Sequence, residues 1–304
     1  MTAAILAKNP GPIRKSSICI FVGYLCSATN GFDANTFGGL TAMPSFMDCY
    51  GITGTNKGLV AALYVIGNIA GSFFAGPCAD TYGTRVEMAT SSAVCIVGAV
   101  LQAAGASLGM LMAGRFVLGF RAVLVQTVGP SHMADMAYPK CRGQLTGGSQ
   151  ACLFLGTIVS TWLEYALSFL KTNATFIWKL PMAVQGIPSI IILARVWFIP
   201  ETPRWYVGND QVDRAHEILT KYHGDGDPNS VVATMELEEM LEVINLEGSN
   251  KRWWDFKELF NTWAGRYRTF LVTFIAWFGQ LDLPPTSYYF PLMAKTAGIA
   301  SSPT

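Results

Sequence analysis

Long apolar runs separated by short polar segments dominate this sequence. The runs lie near residues 16–38, 58–79, 88–107, 109–130, 146–168, 178–199 and 268–290. A helix of roughly 20 apolar residues crosses the hydrocarbon core of a bilayer and satisfies its own backbone hydrogen bonds there. The pattern therefore predicts seven membrane-spanning α-helices, which we number as spans 1 to 7.

The composition agrees with a membrane environment. Of the 304 residues, 51% are hydrophobic and 13% are charged, whereas an ordinary soluble domain carries about 25% charged residues. The seven cysteines are scattered, with no CxxC pair or histidine spacing that would indicate a metal site. Phosphate-binding loops, nucleophile elbows and basic tracts for nucleic acid are also missing from the sequence. We therefore expect neither an enzyme nor a nucleic-acid-binding protein, and we expect no cofactor.

The distribution of positive charge predicts the orientation of the chain. If residues 1–15 form a cytoplasmic tail, fourteen Lys and Arg residues fall on the inner side of the membrane and four fall on the outer side. Short loops rich in Lys and Arg stay in the cytoplasm. The sequence thus predicts a multi-pass protein with its N-terminus inside the cell.

Residues 204–265 form the longest polar connection and are predicted to be a cytoplasmic loop. Apolar residues recur there at helical spacing, first at 212, 215, 219 and 222 and again at 237, 240, 241 and 244. This spacing predicts short amphipathic helices at the inner surface. A solvated helical linker and a docking site for a partner are both consistent with the pattern.

Short motifs occur along the chain in a fixed order. GPCADTYGTR covers 76–85, GRFVLGF covers 114–120, PSHMADMAYPKCRG covers 130–143 and PETPRWY covers 200–206. Span 7 retains GQ at 279–280 and YYFP at 288–291. In this order the motifs resemble the sugar porter family of the major facilitator superfamily, and its fungal branch in particular.

The resemblance implies an all-α membrane fold. Complete carriers of the superfamily have two six-helix halves joined by a long inner loop, so residues 16–203 would be the six-span N-terminal half. Residues 204–265 would be the loop, and 266–304 would hold the seventh span and a truncated C-terminal half. A carrier of this type would have about twelve spans, and this sequence supplies about seven.

The resemblance also assigns charged residues to an inner gate, where ion pairs hold neighbouring helices in one state. These residues are Asp80, Arg85, Asp135, Arg142, Glu201 and Arg204. We expect Glu201 and Arg204 to form an ion pair. Thr81 and Thr84 replace two basic residues of the family pattern, which predicts a weaker network.

An acidic residue inside span 1, Asp33, is the candidate for proton coupling. Ionisable groups inside a membrane are costly and usually mark an ion path or a paired contact. By resemblance, Asp33 pairs with Arg115 of span 4, and making and breaking this pair would load and release a proton. A purely structural ion pair is the alternative. Arg121 departs from the small residue that is usual in the family and needs a carboxylate or a water-filled cavity of its own.

Two amides are candidates for binding the substrate. Gln150 in span 5 and Gln280 in span 7 coincide with residues that contact sugar hydroxyls in the resembled family, and an amide offers both donors and an acceptor. Hydrogen bonding between helices is the alternative. Tyr288 and Tyr289 would form an outer lid or an aromatic belt at the membrane interface. Pro284 and Pro285 interrupt span 7 between these groups.

Two hypotheses of function follow. The first is a sugar transporter of the plasma membrane, proton-coupled, that works by alternating access and has sugar, protons and the lipid bilayer as its partners. The second is a truncated relative that does not transport and acts as a sensor, as a partner paired with a second transporter chain, or as an inactive product.

Overall fold

A computed structural model describes residues 11–41, 43–52, 54–105, 107–169, 174–224, 226–227, 230–247 and 260–281. Its helices are α1 (Gly11–Leu40), α2 (Pro44–Tyr50), α3 (Gly54–Tyr82), α4 (Thr84–Ala104), α5 (Leu108–Met136), α6 (Arg142–Ser168), α7 (Ala174–Val184), α8 (Gly186–Arg195), α9 (Pro203–Gly208), α10 (Val212–Tyr222), α11 (Val231–Glu247) and α12 (Trp263–Leu281). No β-strand occurs within these residues.

The long helices form the predicted six-span half. Five segments of the described chain are long and apolar enough to cross a membrane, namely 56–82, 84–104, 108–136, 142–168 and 175–198. The remaining span is α1, which has 30 residues and packs between α5 and α6. Its buried polar residues, including Asn30, Asp33 and Thr36, lower its hydropathy.

Close helix packing depends on small residues. The most extensive contacts join α3 to α5, α1 to α6 and α4 to α5. A side chain at Gly119 would collide with the carbonyl of Tyr64 on α3, and one at Gly156 would collide with the carbonyl of Ala28 on α1. Glycine at such positions lets helix backbones approach closely within a membrane.

Span 6 is divided into two helices, whereas the sequence predicted one continuous helix over 178–199. The helix α7 ends at Val184, a turn follows at Gln185, and α8 begins at Gly186. Pro188 has no N–H, so the carbonyl of Val184 loses its usual partner four residues later. A 3₁₀ turn over Val196–Phe198 completes the span.

The two ends of the bundle differ. One end carries Gly83, where α3 meets α4, and the helices α9 to α11; we call it the loop end. The other carries Tyr50 and Gly105, and we call it the Tyr50 end. There Phe46, Tyr50 and Trp178 pack edge to face, with ring centroids 5.2 to 5.8 Å apart.

The helices α9 to α11 share a small core at the loop end that includes Ala215, Leu219 and Leu237. His223, which follows α10, ties this unit to the bundle. Its Nδ1 lies 2.5 Å from Glu236 Oε2 on α11, and its Nε2 lies 3.3 Å from the carbonyl oxygen of Met136 at the end of α5.

The helix α12 corresponds to the first half of predicted span 7. Phe270, Phe274 and Phe278 follow one another at four-residue spacing, with successive ring centroids 5.6 and 4.4 Å apart. Their side chains are at least half exposed, so α12 presents apolar surface along its length.

Candidate functional site

A buried ion pair joins α1 to α5 inside the bundle. The Asp33 Oδ2 atom lies 2.9 Å from Arg121 Nη2, and the side chains are 0% and 1% exposed. The thiol of Cys95 on α4 approaches the same carboxylate oxygen at 4.0 Å. The sequence predicted Arg115 as the partner of Asp33, but the ion pair observed here is with Arg121. A buried arginine requires an acceptor. The sequence predicted that Arg121 needs a carboxylate or a water-filled cavity, and Asp33 supplies the carboxylate.

Arg115 lies nearer to the Tyr50 end and is also buried. Six residues of helix separate it from Arg121, which is about 9 Å along α5. Its guanidinium carbon stands 4.2 Å from the ring centroid of Phe37 on α1. Phe37 lies one helical turn after Asp33 and two residues before Gly39, against which Glu164 lies. The predicted relationship between Asp33 and Arg115 is thus one of proximity, and it is shared with a second acid.

Glu164 on α6 is that second acid, and its side chain is almost fully buried. Ser160, one turn earlier on α6, donates a hydrogen bond to Glu164 Oε1 at 3.3 Å. Ser160 Oγ also lies 3.2 Å from Thr36 Oγ1 on α1. The carboxylate lies directly against Gly39, where any larger residue would collide with it. Sequence reasoning assigned Glu164 no role, although an acid inside a span is itself a signal.

Polar side chains join α1 to α5 and α1 to α6. Asn30 donates to Gln126 Oε1 at 3.3 Å, and Asn35 donates to Thr161 Oγ1 at 2.9 Å. Gln150 is exposed on α6. It lies 11 residues before Thr161, close to three full helical turns, and therefore shares its face. We call these five residues the amide face. Sequence reasoning found Gln150 but missed the other members, which stand out as polar residues in apolar spans.

At the loop end, Glu201 binds the start of α4. Its Oε1 accepts a hydrogen bond from the hydroxyl of Thr84 at 2.5 Å, and both carboxylate oxygens lie 3.2 Å from the backbone nitrogen of Arg85. His132 on α5 is 2.8 Å from the same hydroxyl. An anion is favoured at a helix N-terminus because the first N–H groups are unpaired. Gly83 precedes this site with φ of 91°, in the region that favours glycine.

The remaining charged residues predicted for this end are placed differently from the expectation. Arg204 Nε lies 4.0 Å from Asp135 Oδ1, so the expected ion pair with Glu201 is absent from the described contacts. Arg85 donates to the carbonyl of Trp197 at 2.7 Å. Asp80 is exposed on the last turns of α3, and Arg142 begins α6 near Asp135. Thr84, one of the two residues that replace basic ones, takes part in this network through its hydroxyl.

Comparison with known proteins decides the family. The family model described as "Sugar (and other) transporter" matches residues 19–302. The chain belongs to the sugar transporter family.

Relatives within this transporter family include the MFS-type transporter criB of Aspergillus cristatus, which is 30% identical over 79% of this chain and 51% of its own length. The high-affinity glucose transporter of Kluyveromyces lactis is 26% identical over 79% of this chain and 43% of its own length. The chain thus spans about half the length of the curated relatives it matches.

Solved structures show the same fold. The proton:xylose symporter XylE of E. coli, bound to 6-bromo-6-deoxy-D-glucose, superposes with a TM-score of 0.67 at 19% identity. The alignment covers 75% of this chain and 53% of XylE. This likeness shows that the aligned part of the chain has the fold of that major facilitator superfamily structure.

Three residues that the sequence predicted as a substrate-binding residue and an outer lid are not placed by the structure. Tyr288 and Tyr289 lie outside the described residues, and Gln280 falls in α12 where the side chain is not described. Within the described ranges, no cluster of three or more His, Cys, Asp or Glu residues is arranged to hold a metal ion.

Proposed function

We propose that this chain forms the sugar-binding N-terminal half of a proton-coupled sugar carrier that works by alternating access. The observation that carries the proposal is the amide face, a set of polar side chains on helices whose other exposed residues are mainly apolar. Family membership supports transport of a sugar, as do the relatives named as a glucose transporter and a proton:xylose symporter.

The substrate binds at the amide face through its hydroxyl groups. Each amide supplies two donors and one acceptor, and each threonine hydroxyl supplies one donor. Gln150 contributes most directly because it is exposed and no other side chain is recorded as bonding to its amide in the described contacts. Gln280 as a second sugar-binding amide, and Tyr288 with Tyr289 as an outer lid, belong to the proposal as residues that the family resemblance implies.

Proton coupling acts through Asp33 and Arg115. A carboxylate that alternately gains and loses a guanidinium partner changes its affinity for a proton. The ion pair of Asp33 with Arg121 and the position of Arg115 beside Phe37 bring two arginines close to this acid within the bundle. These closely spaced charged side chains inside the bundle support proton coupling rather than facilitated diffusion.

The loop end is the cytoplasmic end and acts as the inner gate. The count of Lys and Arg residues supports this orientation. Asp80, Arg85, Asp135, Arg142, Glu201 and Arg204 lie at this end, within or beside the contacts described above. Such contacts hold the inner ends of α4, α5 and α8 together in one state and separate in the other. The plasma membrane is the location that fits uptake from the medium.

A second six-helix bundle completes the carrier. Alternating access requires two halves that rock around a site near the middle of the membrane. The second bundle packs against the amide face, either as part of the same polypeptide or as a second transporter chain.

Uptake of labelled sugars in a transporter-deficient yeast tests this function. Cells that produce the 304-residue chain should accumulate a hexose or pentose, more strongly at acidic external pH. A labelled disaccharide is tested as a third class of substrate beside the hexose and the pentose. The matched control is Gln150→Ala, which should reduce uptake at limiting sugar without changing the amount of protein at the surface.

The result also separates the two hypotheses. Surface protein with no uptake of any sugar would contradict transport by these 304 residues. Uptake that appears only when a C-terminal half from a full-length relative is produced in the same cell would support pairing with a second chain. Uptake that does not respond to external pH would contradict proton coupling while leaving sugar transport in place.

A further inference from the structure

The buried acids and arginines of the bundle form an alternating series. Read from the Tyr50 end towards the loop end, the order is Glu164, Arg115, Asp33 and Arg121. Glu164 lies beside Gly39 near the end of α1, Arg115 lies over Phe37, and Arg121 contacts Asp33. The side chains of all four are 6% exposed or less. Two negative and two positive charges balance when both acids are ionised.

Arg115 lies between two acids, Asp33 and Glu164, and either of them can form an ion pair with it. Its guanidinium stands over Phe37, which lies between Asp33 and Gly39 on α1, and Glu164 lies against Gly39. Asp33 already has Arg121 at 2.9 Å, so it keeps a countercharge when Arg115 turns away. Glu164 receives a hydrogen bond from Ser160, and Arg115 is the basic residue of the series next to it. The two acids therefore depend on Arg115 to different degrees.

We propose that Glu164 is a further coupling residue that binds the transported proton. Its protonation state determines whether Arg115 pairs with Glu164 or with Asp33. This inference rests on the proposed function and deepens it. In the ionised state Arg115 is held by Glu164, and Asp33 is held by Arg121. In the protonated state Glu164 no longer competes, and Arg115 turns to Asp33.

The proton step is a simple transfer. A hydronium ion at the Tyr50 end donates its proton to a carboxylate oxygen of Glu164, an O–H bond forms, and water is released. Arg115 keeps its own protons throughout. The network then carries one uncompensated positive charge in a medium of low dielectric constant, which is costly. This cost loosens the contact between α1 and α6 that holds Glu164 against Gly39 and favours the other state of the carrier.

Few other charged groups act on Glu164. The elements packed against α6 are α1, α5 and α7. The relevant charged residue of α1 is Asp33, that of α5 is Arg115, and that of α7 is Lys179. Lys179 Nζ stands 5.3 Å from the ring centroid of Trp178. The neighbouring hydroxyl groups are those of Ser160 and Thr36.

Infrared difference spectroscopy of the 304-residue chain in lipid nanodiscs tests the proposal without requiring transport. The carboxylic C=O stretch appears when a buried acid takes up a proton. A titration from about pH 9 to about pH 5 keeps exposed carboxyl groups ionised. We expect a component that grows as the pH falls and is lost in Glu164→Gln.

Two further variants make the assignment specific. Ser160→Ala removes the hydrogen bond to the carboxyl group and should shift the frequency of the component, which a purely structural role would not do. Glu87→Gln removes another buried acid, on α4, and should leave the component in place. In transporting cells, Glu164→Gln should also remove the dependence of uptake on external pH.

The outcomes separate this inference from the proposed function. A component that remains at full amplitude in Glu164→Gln, or no growing component in the wild type, overturns the role of Glu164. Absence of uptake together with a component lost in Glu164→Gln contradicts transport by this chain but supports Glu164 as the proton-binding acid. If Glu164→Gln does not reconstitute, an unshifted component in Ser160→Ala overturns the proposal and a shifted one supports it.

Discussion

Asp33 and Arg121 form an ion pair that is closed off from solvent, with 2.9 Å between the carboxylate and guanidinium atoms. Two charges taken out of water lose their hydration, and their mutual attraction roughly offsets that loss when both are present. Removing only one of them leaves the other buried and uncompensated. The pair therefore contributes little net free energy of folding, but the loss of either partner destabilises the protein strongly.

Arg121→Gln should lower the free energy of unfolding by about 3 to 5 kcal/mol, the usual cost of an uncompensated buried charge. The double variant Asp33→Asn with Arg121→Gln should recover much of that loss. Thermal unfolding in detergent measures both. Arg195→Gln, at an exposed arginine on α8, is the control. Equal losses in the single and double variants would contradict a direct pair.

Glu201→Gln should weaken the start of α4. The carboxylate accepts charge-assisted hydrogen bonds from Thr84 and from the N–H of Arg85, and such bonds contribute about 1.5 to 3 kcal/mol. Hydrogen exchange in the first turn of α4 should therefore become at least about tenfold faster. Glu217→Gln, on the exposed side of α10, should leave this exchange unchanged. Unaltered exchange in Glu201→Gln would exclude the capping role.

Gln150→Ala should raise the KM for sugar while leaving kcat nearly unchanged. One lost hydrogen bond costs about 0.5 to 1.5 kcal/mol, which corresponds to a KM about two- to tenfold higher. Initial uptake rates over a range of sugar concentrations measure it. Gln144→Ala is the matched control because Gln144 is exposed on a different face of α6. A similar change in both variants would mean that Gln150 acts only through helix packing.

Tyr50 should make stability depend on alkaline pH. Its hydroxyl donates to the carbonyl of Gly105 at 2.8 Å, and burial raises its pKa to about 12 from the ordinary value of about 10. A group whose pKa is raised by folding stabilises the protein below its unfolded pKa. The contribution of Tyr50 is therefore present below about pH 10 and is lost as the pH rises through about 12.

Tyr50→Phe isolates this effect. The variant should be about 0.5 to 1.5 kcal/mol less stable at neutral pH, and the difference from the wild type should shrink between about pH 10 and 12. Unfolding midpoints measured across this range test the expectation. Tyr82→Phe, at a tyrosine that is 67% exposed, should follow the wild type throughout.

The hydrophobic pattern was sufficient to locate the spans but not their interruptions. The run at 58–79 lies within α3, which extends to Gly54 and Tyr82. Backbone hydrogen bonds continue into the polar interface after the apolar residues end. The break at Gln185 depends on the missing N–H of Pro188, a local effect that hydropathy averaged over a span does not register.

The sequence was sufficient to identify charged residues inside the spans and at the loop end, but not to predict which of them contact each other. Asp33 and Arg115 were paired by resemblance, but partner choice depends on how α1 and α5 are rotated against each other, and Arg121 takes the closest position. Thr84 was counted as a lost charge. In the structure its hydroxyl and the adjacent N–H bind Glu201, which neither charge counting nor motif comparison can reveal.

The link from His223 to the last carbonyl of α5 has a practical consequence. Through His223, α10 and α11 are joined to α5, a helix of the proposed transport path. The two helices can therefore serve as an epitope outside the lipid. An antibody fragment that binds this epitope would add mass for electron microscopy. Its affinity would also differ between carrier states, so it would report on the bundle from outside the lipid.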